Sequence, residues 1–161
     1  MSKRTSLGIK IVIFAIGIGT AAYFFFQTIG WFWNPPLLKN NTEAFLEQIR
    51  KQDFNEAMNR FEDSTANNSW PNDMRELFEK QDFKLLTFDG IRAEFDDGSY
   101  STGHAELTFE IDSRPIRTEV ILTFGNRGKL KQLCAITPPG VQQSELPELE
   151  EWNRLMCGGS F

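Results

Sequence analysis

The sequence is poor in the residues that most enzymes use at their active sites. Histidine occurs once, at His104. A metal site built on several histidines is therefore disfavoured, and a histidine acid–base site would need one particular carboxylate beside it. The sequence also lacks a phosphate-binding glycine loop, a Ser-His-Asp order and a Cys-His pairing. We expect no catalytic residue, no cofactor and no metal, and therefore a protein that is not an enzyme.

Cysteine is almost as scarce, with Cys134 and Cys157 as the two examples. Because they do not form a CxxC motif, thiol redox catalysis is disfavoured. Cys134 should point inward from the last predicted strand and Cys157 should end a C-terminal helix. A disulfide between them would fix that helix over the opening of the sheet, and two free thiols are the alternative.

Charge is missing from Ile11 to Ile29, where no Asp, Glu, Lys, Arg or His occurs. At helical rise this stretch covers about 28 Å, close to the roughly 30 Å hydrocarbon core of a bilayer. We therefore predict a transmembrane anchor over residues 7–33, after a short cytoplasmic N-terminus of residues 1–6. Lys3 and Arg4 precede the span and Lys10 lies one turn inside it, which places the N-terminus in the cytoplasm and the rest of the chain on the far side.

Two features of this stretch have alternative interpretations. Thr20-Ala21-Ala22 resembles a signal-peptidase site, so a cleaved secretory signal competes with a permanent anchor, although the apolar run is longer than a signal usually requires. Small residues also recur four apart, which either lets another membrane helix pack closely or merely faces lipid. They are Ala15 with Gly19, and Gly17 with Ala21.

The rest of the chain is acidic. After residue 35 there are 22 acidic and 14 basic residues, a formal charge of −8. This balance disfavours nucleic acid as a partner. The length fits one domain, and we divide it into a polar linker over residues 34–41, a domain over 42–140 and an acidic tail over 141–161.

Helical patterns come first in this domain, and strand patterns follow. Thr42 or Asn41 can cap a first helix, and Asp53 followed by Glu56 resembles the capping box of a second. A third helix starts near Pro71. From Phe83 onward the apolar residues alternate with period two, which predicts antiparallel strands. The fold class is therefore α+β, with a transmembrane helix followed by helices packed on a curved antiparallel sheet.

Two turns can be predicted in detail. A two-residue turn at Ser113-Arg114 would place Leu107 opposite Val120 on the inner face and Glu110 opposite Arg117 on the outer face. A three-residue loop ending at Gly128 would place Phe124 opposite Leu130 and Val120 opposite Cys134. The inner face is then apolar except for Thr118 and Gln132.

The tail contains a short predicted helix over residues 147–156 with three apolar side chains on one face: Leu149, Trp152 and Met156. Because Trp is enriched at the centres of interfaces, these three residues are candidates for a protein-binding surface. The alternative is that Trp152 closes the domain core.

The order of elements resembles the nuclear transport factor 2-like superfamily, whose members form a cystatin-like cone. The segment FLEQIRKQDFNEAMNRF, a helix with a restart at an Asp, is similar to the opening of many small secreted or membrane-anchored bacterial members. An anchor followed by a cone also resembles the VirB-type scaffold of type IV secretion and the Mce-associated membrane proteins. Members of the superfamily include enzymes, lipid carriers and scaffolds, so the fold does not select a function.

The resemblance implies a single-pass protein of the bacterial inner membrane with a periplasmic cone. We expect a non-enzymatic accessory, assembly or scaffolding subunit whose partners are the lipid bilayer and integral membrane protein subunits. A carrier or sensor that holds a lipid or other small apolar ligand in the cone is the alternative, and an isomerase- or dehydratase-like enzyme is the third hypothesis.

Overall fold

A computed structural model of the chain describes residues 3–62, 68–94, 101–125 and 128–157, with the side chains of 3–11 and 26–35 excepted. The chain divides into two compact units, Met1–Asn34 and Pro35–Phe161. The second unit is an α+β fold with a four-stranded antiparallel sheet. The fold class predicted for the domain is thus confirmed at this level.

Helix α1 spans Lys3–Arg50 and contributes residues to both units. Residues 34–41, predicted to be a polar linker, are helical, so that prediction is wrong. Proline lacks an N–H donor and usually ends or kinks a helix, yet Pro35 and Pro36 lie inside α1, where the second unit begins. Leu38 and Thr42 are buried and lie one turn apart on the face that continues to Phe45 and Ile49. Thr42 is therefore a core residue within the helix and not its cap.

The predicted membrane span lies partly outside the described residues, because the side chains of 7–11 and 26–33 are not described. Within the part of α1 and the other helices that the structure does describe, no helix has both the length and the apolar character needed to cross a bilayer.

Two short helices follow α1. Helix α2, Phe54–Met58, begins after Asp53, whose carboxylate accepts a hydrogen bond from the Glu56 N–H at 3.2 Å. The predicted cap is therefore confirmed, but the second bond of a capping box does not form, because the Asp53 N–H donates to the Gln48 carbonyl and the Glu56 carboxylate pairs with Arg60. Helix α3, Trp70–Lys80, has Pro71 in its first turn, as expected.

The sheet is a meander with the strand order β1-β2-β3-β4. Its strands are β1 (Lys84–Glu94), β2 (Ser101–Ile111), β3 (Arg114–Phe124) and β4 (Leu130–Ala135). Strand β1 is one strand with two irregularities, the second of them next to Gly90, whose φ is +63°. Asp96-Asp97-Gly98, a sequence that predicts a turn after this strand, lies outside the described residues.

The turn between β2 and β3 is formed by Asp112 and Ser113, not by Ser113 and Arg114. Both turn residues have positive φ, 49° and 61°, as a type I′ turn requires, and the short polar side chain of Asp tolerates this conformation. Leu107 therefore pairs with Thr118, and Val120 with Ala105. The predicted register is wrong by two residues, and the predicted faces are unchanged because the side-chain period is also two.

The turn between β3 and β4 brings Phe124 opposite Leu130, as predicted, and Gly128 has a φ of +69°. A bulge beside this pair shifts the rest of β4 by one residue, so Val120 pairs with Ala135 instead of Cys134. Leu133 and Ala135 are consequently buried, whereas Gln132 and Cys134, both predicted to point inward, are only half-buried.

The core is rich in aromatic rings that contact one another. Phe83 lies against Phe109 with ring centroids 4.8 Å apart and stacks on Trp152 at 5.5 Å with an interplanar angle of 16°. Trp152 belongs to helix α4, Pro147–Met156, which follows a 3-10 turn at Gln143–Glu145. The centre of the second unit is therefore filled by side chains from the sheet and from the tail helix.

Candidate functional site

His104 lies on the outer face of β2 and is partly exposed. Its Nδ1 is 2.9 Å from the Oε1 atom of Glu119 on β3. Alternation along the strand predicts Tyr100 and Glu106 as its neighbours on this face, and the register predicted from the sequence left Glu119 two residues too far away to reach it. Glu106 instead pairs with Arg117. The outer face of the two neighbouring strands therefore has a hydrogen-bonded pair, His104 with Glu119, and an ion pair, Arg117 with Glu106, an arrangement that solvated sheet surfaces commonly show.

A shallow groove of about 270 Å³ adjoins these pairs at the end of β4. Its walls combine the charged residues of the two strands with an apolar rim from the following loop, which includes Ile136 and Pro138. Thr118, buried beneath the groove, donates a hydrogen bond from Oγ1 to the carbonyl of Ile136. That bond leaves its hydroxyl proton engaged, so the groove presents no free nucleophile from this residue.

A second groove of about 140 Å³ lies between α3 and α4 and is polar. Its lining includes Asp73, Glu76, Lys80, Glu151 and Arg154. Arg154 donates a hydrogen bond to Glu151, which lowers the pKa of that carboxyl group. Lys80 pairs with Glu76 in the same way along α3. The charges of this groove largely satisfy one another and do not converge on one point.

The three tail residues predicted to form a protein-binding surface are in the core. Leu149 is 2% exposed, and Trp152 and Met156 are fully buried. Trp152 lies against Phe83 and Phe109, and α4 packs on β4 and α3, so these side chains are not available to a partner. The interface assignment is thus corrected, and the alternative in which Trp152 closes the domain describes its position.

A disulfide joins Cys134 of β4 to Cys157 at the end of α4, with the two Cα atoms 5.4 Å apart. Next to it, the side-chain amide of Asn153 makes two hydrogen bonds with the backbone of Ala135. Nδ2 donates to the Ala135 carbonyl at 2.9 Å, and Oδ1 accepts from the Ala135 N–H at 2.7 Å. The tail helix therefore covers an edge strand whose backbone groups would otherwise be open to another strand.

Replacing both cysteines by serine is expected to lower the free energy of unfolding by about 3 kcal/mol, because the bond closes a loop with a sequence separation of 23. Urea unfolding followed by circular dichroism measures the change. As a matched control, the unmodified protein is reduced. Its free energy of unfolding should fall by the same amount as in the double cysteine variant. Equal midpoints for oxidised and reduced protein would contradict the expectation.

The described part of the first unit exposes large apolar side chains in every direction around the helix. Between residues 12 and 25 these side chains are 55–71% exposed: Val12, Ile13, Phe14, Ile16, Ile18, Tyr23, Phe24 and Phe25. The small residues between them, Ala15, Gly17, Gly19 and Ala21, are exposed as well. A Cβ atom added at Gly17 or Gly19 would meet no atom within 4 Å.

The described residues contain no group of three or more His, Cys, Asp or Glu side chains that could hold a metal ion. Comparison with models of known protein families finds no match for this chain. Comparison with curated proteins finds none either. The two features of the described residues that bear on function are the exposed apolar helix and the filled core to which a disulfide attaches the tail helix.

Proposed function

We propose that this protein is a membrane-anchored, non-enzymatic accessory or scaffolding subunit of a larger complex of integral membrane proteins. Residues 7–33 form a single transmembrane anchor, the N-terminus lies in the cytoplasm, and the second unit lies outside it. The observation that carries the proposal is the helical stretch of residues 12–25, whose large apolar side chains are all more than half exposed.

An apolar helix surface of this kind requires a cover. Soluble proteins seldom expose contiguous apolar patches of more than a few hundred Å². A helix that is apolar all round is typically found inside a protein or in a membrane. Since the apolar sequence continues without charge from Ile11 to Ile29, acyl chains can cover the entire stretch.

The polar group of Thr20 is compatible with this environment. Its Oγ1 lies 2.9 Å from the carbonyl oxygen of Ile16 and 3.0 Å from that of Gly17. The hydroxyl proton is therefore satisfied within the helix, as polar groups in hydrocarbon need to be. Lipid can surround this side chain without leaving a donor unpaired.

The packing of the second unit favours a binding module over a carrier or an enzyme. A lipid carrier needs an apolar cavity, whereas the rings of Phe83, Phe109 and Trp152 occupy the centre of the core and are fully buried. An acid–base site needs polar groups that converge in a pocket, whereas His104 and Glu119 lie on the outer face of the sheet. These observations support protein contacts as the mode of action.

Two further features support a location outside the cytoplasm. The basic residues Lys3, Arg4 and Lys10 all precede the apolar stretch, and the positive-inside rule keeps such residues in the cytoplasm. The disulfide between Cys134 and Cys157 suits an oxidising compartment, since cytosolic proteins rarely keep such bonds. The second unit has helices followed by an antiparallel meander. As part of the same proposal, we assign it to the nuclear transport factor 2-like cones of the bacterial inner membrane.

A topology experiment tests the anchor. An enzyme reporter that is active only outside the cytoplasm, fused after Phe161, is expected to be active, because the flanking charge directs the C-terminal side outward. The protein should also stay in the membrane fraction after a carbonate wash, with an unchanged mass.

The matched control reverses the three flanking charges, with Lys3→Glu, Arg4→Glu and Lys10→Glu in one chain. Reporter activity should then fall several-fold, while the protein remains in membranes. Release of a shortened soluble form would show that the apolar stretch is a cleaved signal, and an inactive reporter on the unmodified chain would contradict the orientation.

A further inference from the structure

Asn153 holds the tail helix against the sheet in the way that a neighbouring strand would. Its amide group satisfies both the N–H and the carbonyl of Ala135, which is the pattern that two paired residues form in an antiparallel ladder. The side chain is half-buried, so both bonds are partly shielded from water. These two bonds therefore align α4 with β4 and hold the helix close to the strand.

The position of Cys157 follows from that of Asn153. The two residues are four apart, so their side chains project from the same face of α4, one turn from each other. On the strand, Cys134 precedes Ala135. Gln132 strengthens the alignment, because its Nε2 donates to the Cys157 carbonyl at 2.9 Å. Strand and helix run in opposite directions, and the Asn153 pairing brings the next turn of the helix onto Cys134.

We propose that Asn153 is a positioning residue for the oxidation of Cys134 and Cys157, and that this pair is the substrate of a protein thiol oxidant outside the cytoplasm. The compartment rests on the proposed function, whereas the positioning role does not. The tail helix docks first, through its buried apolar face and the amide of Asn153. The covalent bond then forms between sulfur atoms that the docked helix has already brought together.

The chemistry is a thiol–disulfide exchange in two steps. The thiolate of one cysteine attacks the disulfide of the oxidant, which forms a mixed disulfide and releases one thiolate of the oxidant. The second cysteine, as a thiolate, attacks the protein sulfur of that mixed disulfide and releases the oxidant as a dithiol. Two electrons and two protons pass from the cysteine pair to the oxidant, and docking accelerates the second step because the sulfurs are neighbours.

The positioning role can be measured as an effective molarity. The purified full-length chain in detergent is equilibrated with reduced and oxidised glutathione, and the oxidised fraction is read after acid quenching and labelling with a maleimide. In native buffer the effective molarity of the pair is expected to be about 100-fold higher than in concentrated urea, because the unfolded chain must close the loop between the cysteines at an entropic cost that the folded chain has already met. Asn153→Ala should lower the native value about tenfold and leave the value in urea unchanged.

Glu150→Ala is the matched control, since Glu150 is an exposed residue of the same helix. It should change neither value. Asn153→Asp keeps the size of the side chain and the acceptor for the Ala135 N–H but loses the donor. It should give an intermediate loss, and circular dichroism of the reduced variants shows whether α4 and the sheet persist. A native value for Asn153→Ala equal to that of the unmodified chain, or an equal loss in Glu150→Ala, would overturn the positioning role.

The oxidation state of Cys134 and Cys157 is tested in cells on the full-length chain. Acid quenching followed by a polyethylene-glycol maleimide should find no free thiol, and two after treatment of the cells with dithiothreitol. Two free thiols in untreated cells would overturn the oxidation proposal. Carbonate washing and the reporter fusion on the same cells distinguish this outcome from failure of the anchor, because a membrane-bound, outward-facing chain with free thiols contradicts oxidation alone.

Discussion

Replacing Trp152 by alanine is expected to lower the free energy of unfolding by about 3 to 5 kcal/mol. The side chain is fully buried, stacks on Phe83 and contacts Phe109 at a centroid distance of 4.9 Å. Its removal leaves a cavity between the sheet and α4 that neighbouring rings cannot fill without losing their own contacts. Urea unfolding, monitored by near-UV and far-UV circular dichroism, measures the loss.

Two comparisons make this experiment specific. Trp152→Phe keeps an aromatic ring and should cost much less, whereas Glu150→Ala on the exposed side of the same helix should change the unfolding free energy by less than about 0.5 kcal/mol. A Trp152→Ala protein with an unchanged melting temperature that no longer copurifies with its partners would contradict the core position. It would restore this residue to a binding surface.

The second large effect is expected for Leu107→Ala, at about 2 to 4 kcal/mol. Leu107 is fully buried in the middle of β2, where it pairs with Phe88 on β1 and with Thr118 on β3. Truncation leaves a void under the centre of the sheet, where the backbone is held on both sides and cannot collapse. Chemical unfolding gives the magnitude.

Thr108→Ala provides the control for Leu107, because Thr108 is the next residue of β2 and points to the outer face. It should change the unfolding free energy by less than about 0.5 kcal/mol. Similar small losses at both positions would mean that Leu107 does not face the core, and the assignment of the two faces of the sheet would be wrong.

The faces of β2 and β3 could be predicted from the sequence, but their register could not. Alternation places Ala105, Leu107, Phe109 and Ile111 on one side, and all four are buried. A shift of two residues keeps every side chain on its face, so the hydrophobic pattern is equally satisfied by two registers. The choice between them depends on the turn, where Asp112 accepts a positive φ. The tolerance of Asp112 for a positive φ therefore indicates the register, which the pattern of apolar residues does not.

The errors in β4 and in the tail have a related cause. A bulge changes which residues face inward, and the alternation of a six-residue strand is too short to indicate one. For Trp152 the sequence left two interpretations open, since an apolar helix face looks the same whether it covers a core or awaits a partner. Only the position of the sheet beneath it distinguishes them. The pairing of Cys134 with Cys157 could be considered from the order of elements, but the role of Asn153 had no signal in the sequence.

The residues just after the prolines show a signal that was available. Four buried residues follow helical spacing: Leu38, Thr42, Phe45 and Ile49. This pattern indicates that the helix begins closer to the N-terminus than the predicted cap. Threonine and asparagine are both common at helix caps, which makes Thr42 and Asn41 cap candidates, but Thr42 is buried on the apolar face of the helix. The apolar neighbours of Thr42 at helical spacing were therefore the signal that it lies within the helix.

Native separation of the gently solubilised protein tests the central claim most directly. Membranes are extracted with a mild detergent, resolved on a native gel, and the band that contains this chain is analysed by mass spectrometry for protein subunits and for lipid. The account predicts one defined band, well above the mass of the single chain, that contains integral membrane subunits in fixed proportion. A chain that migrates alone and retains stoichiometric lipid would contradict the scaffold and favour a carrier.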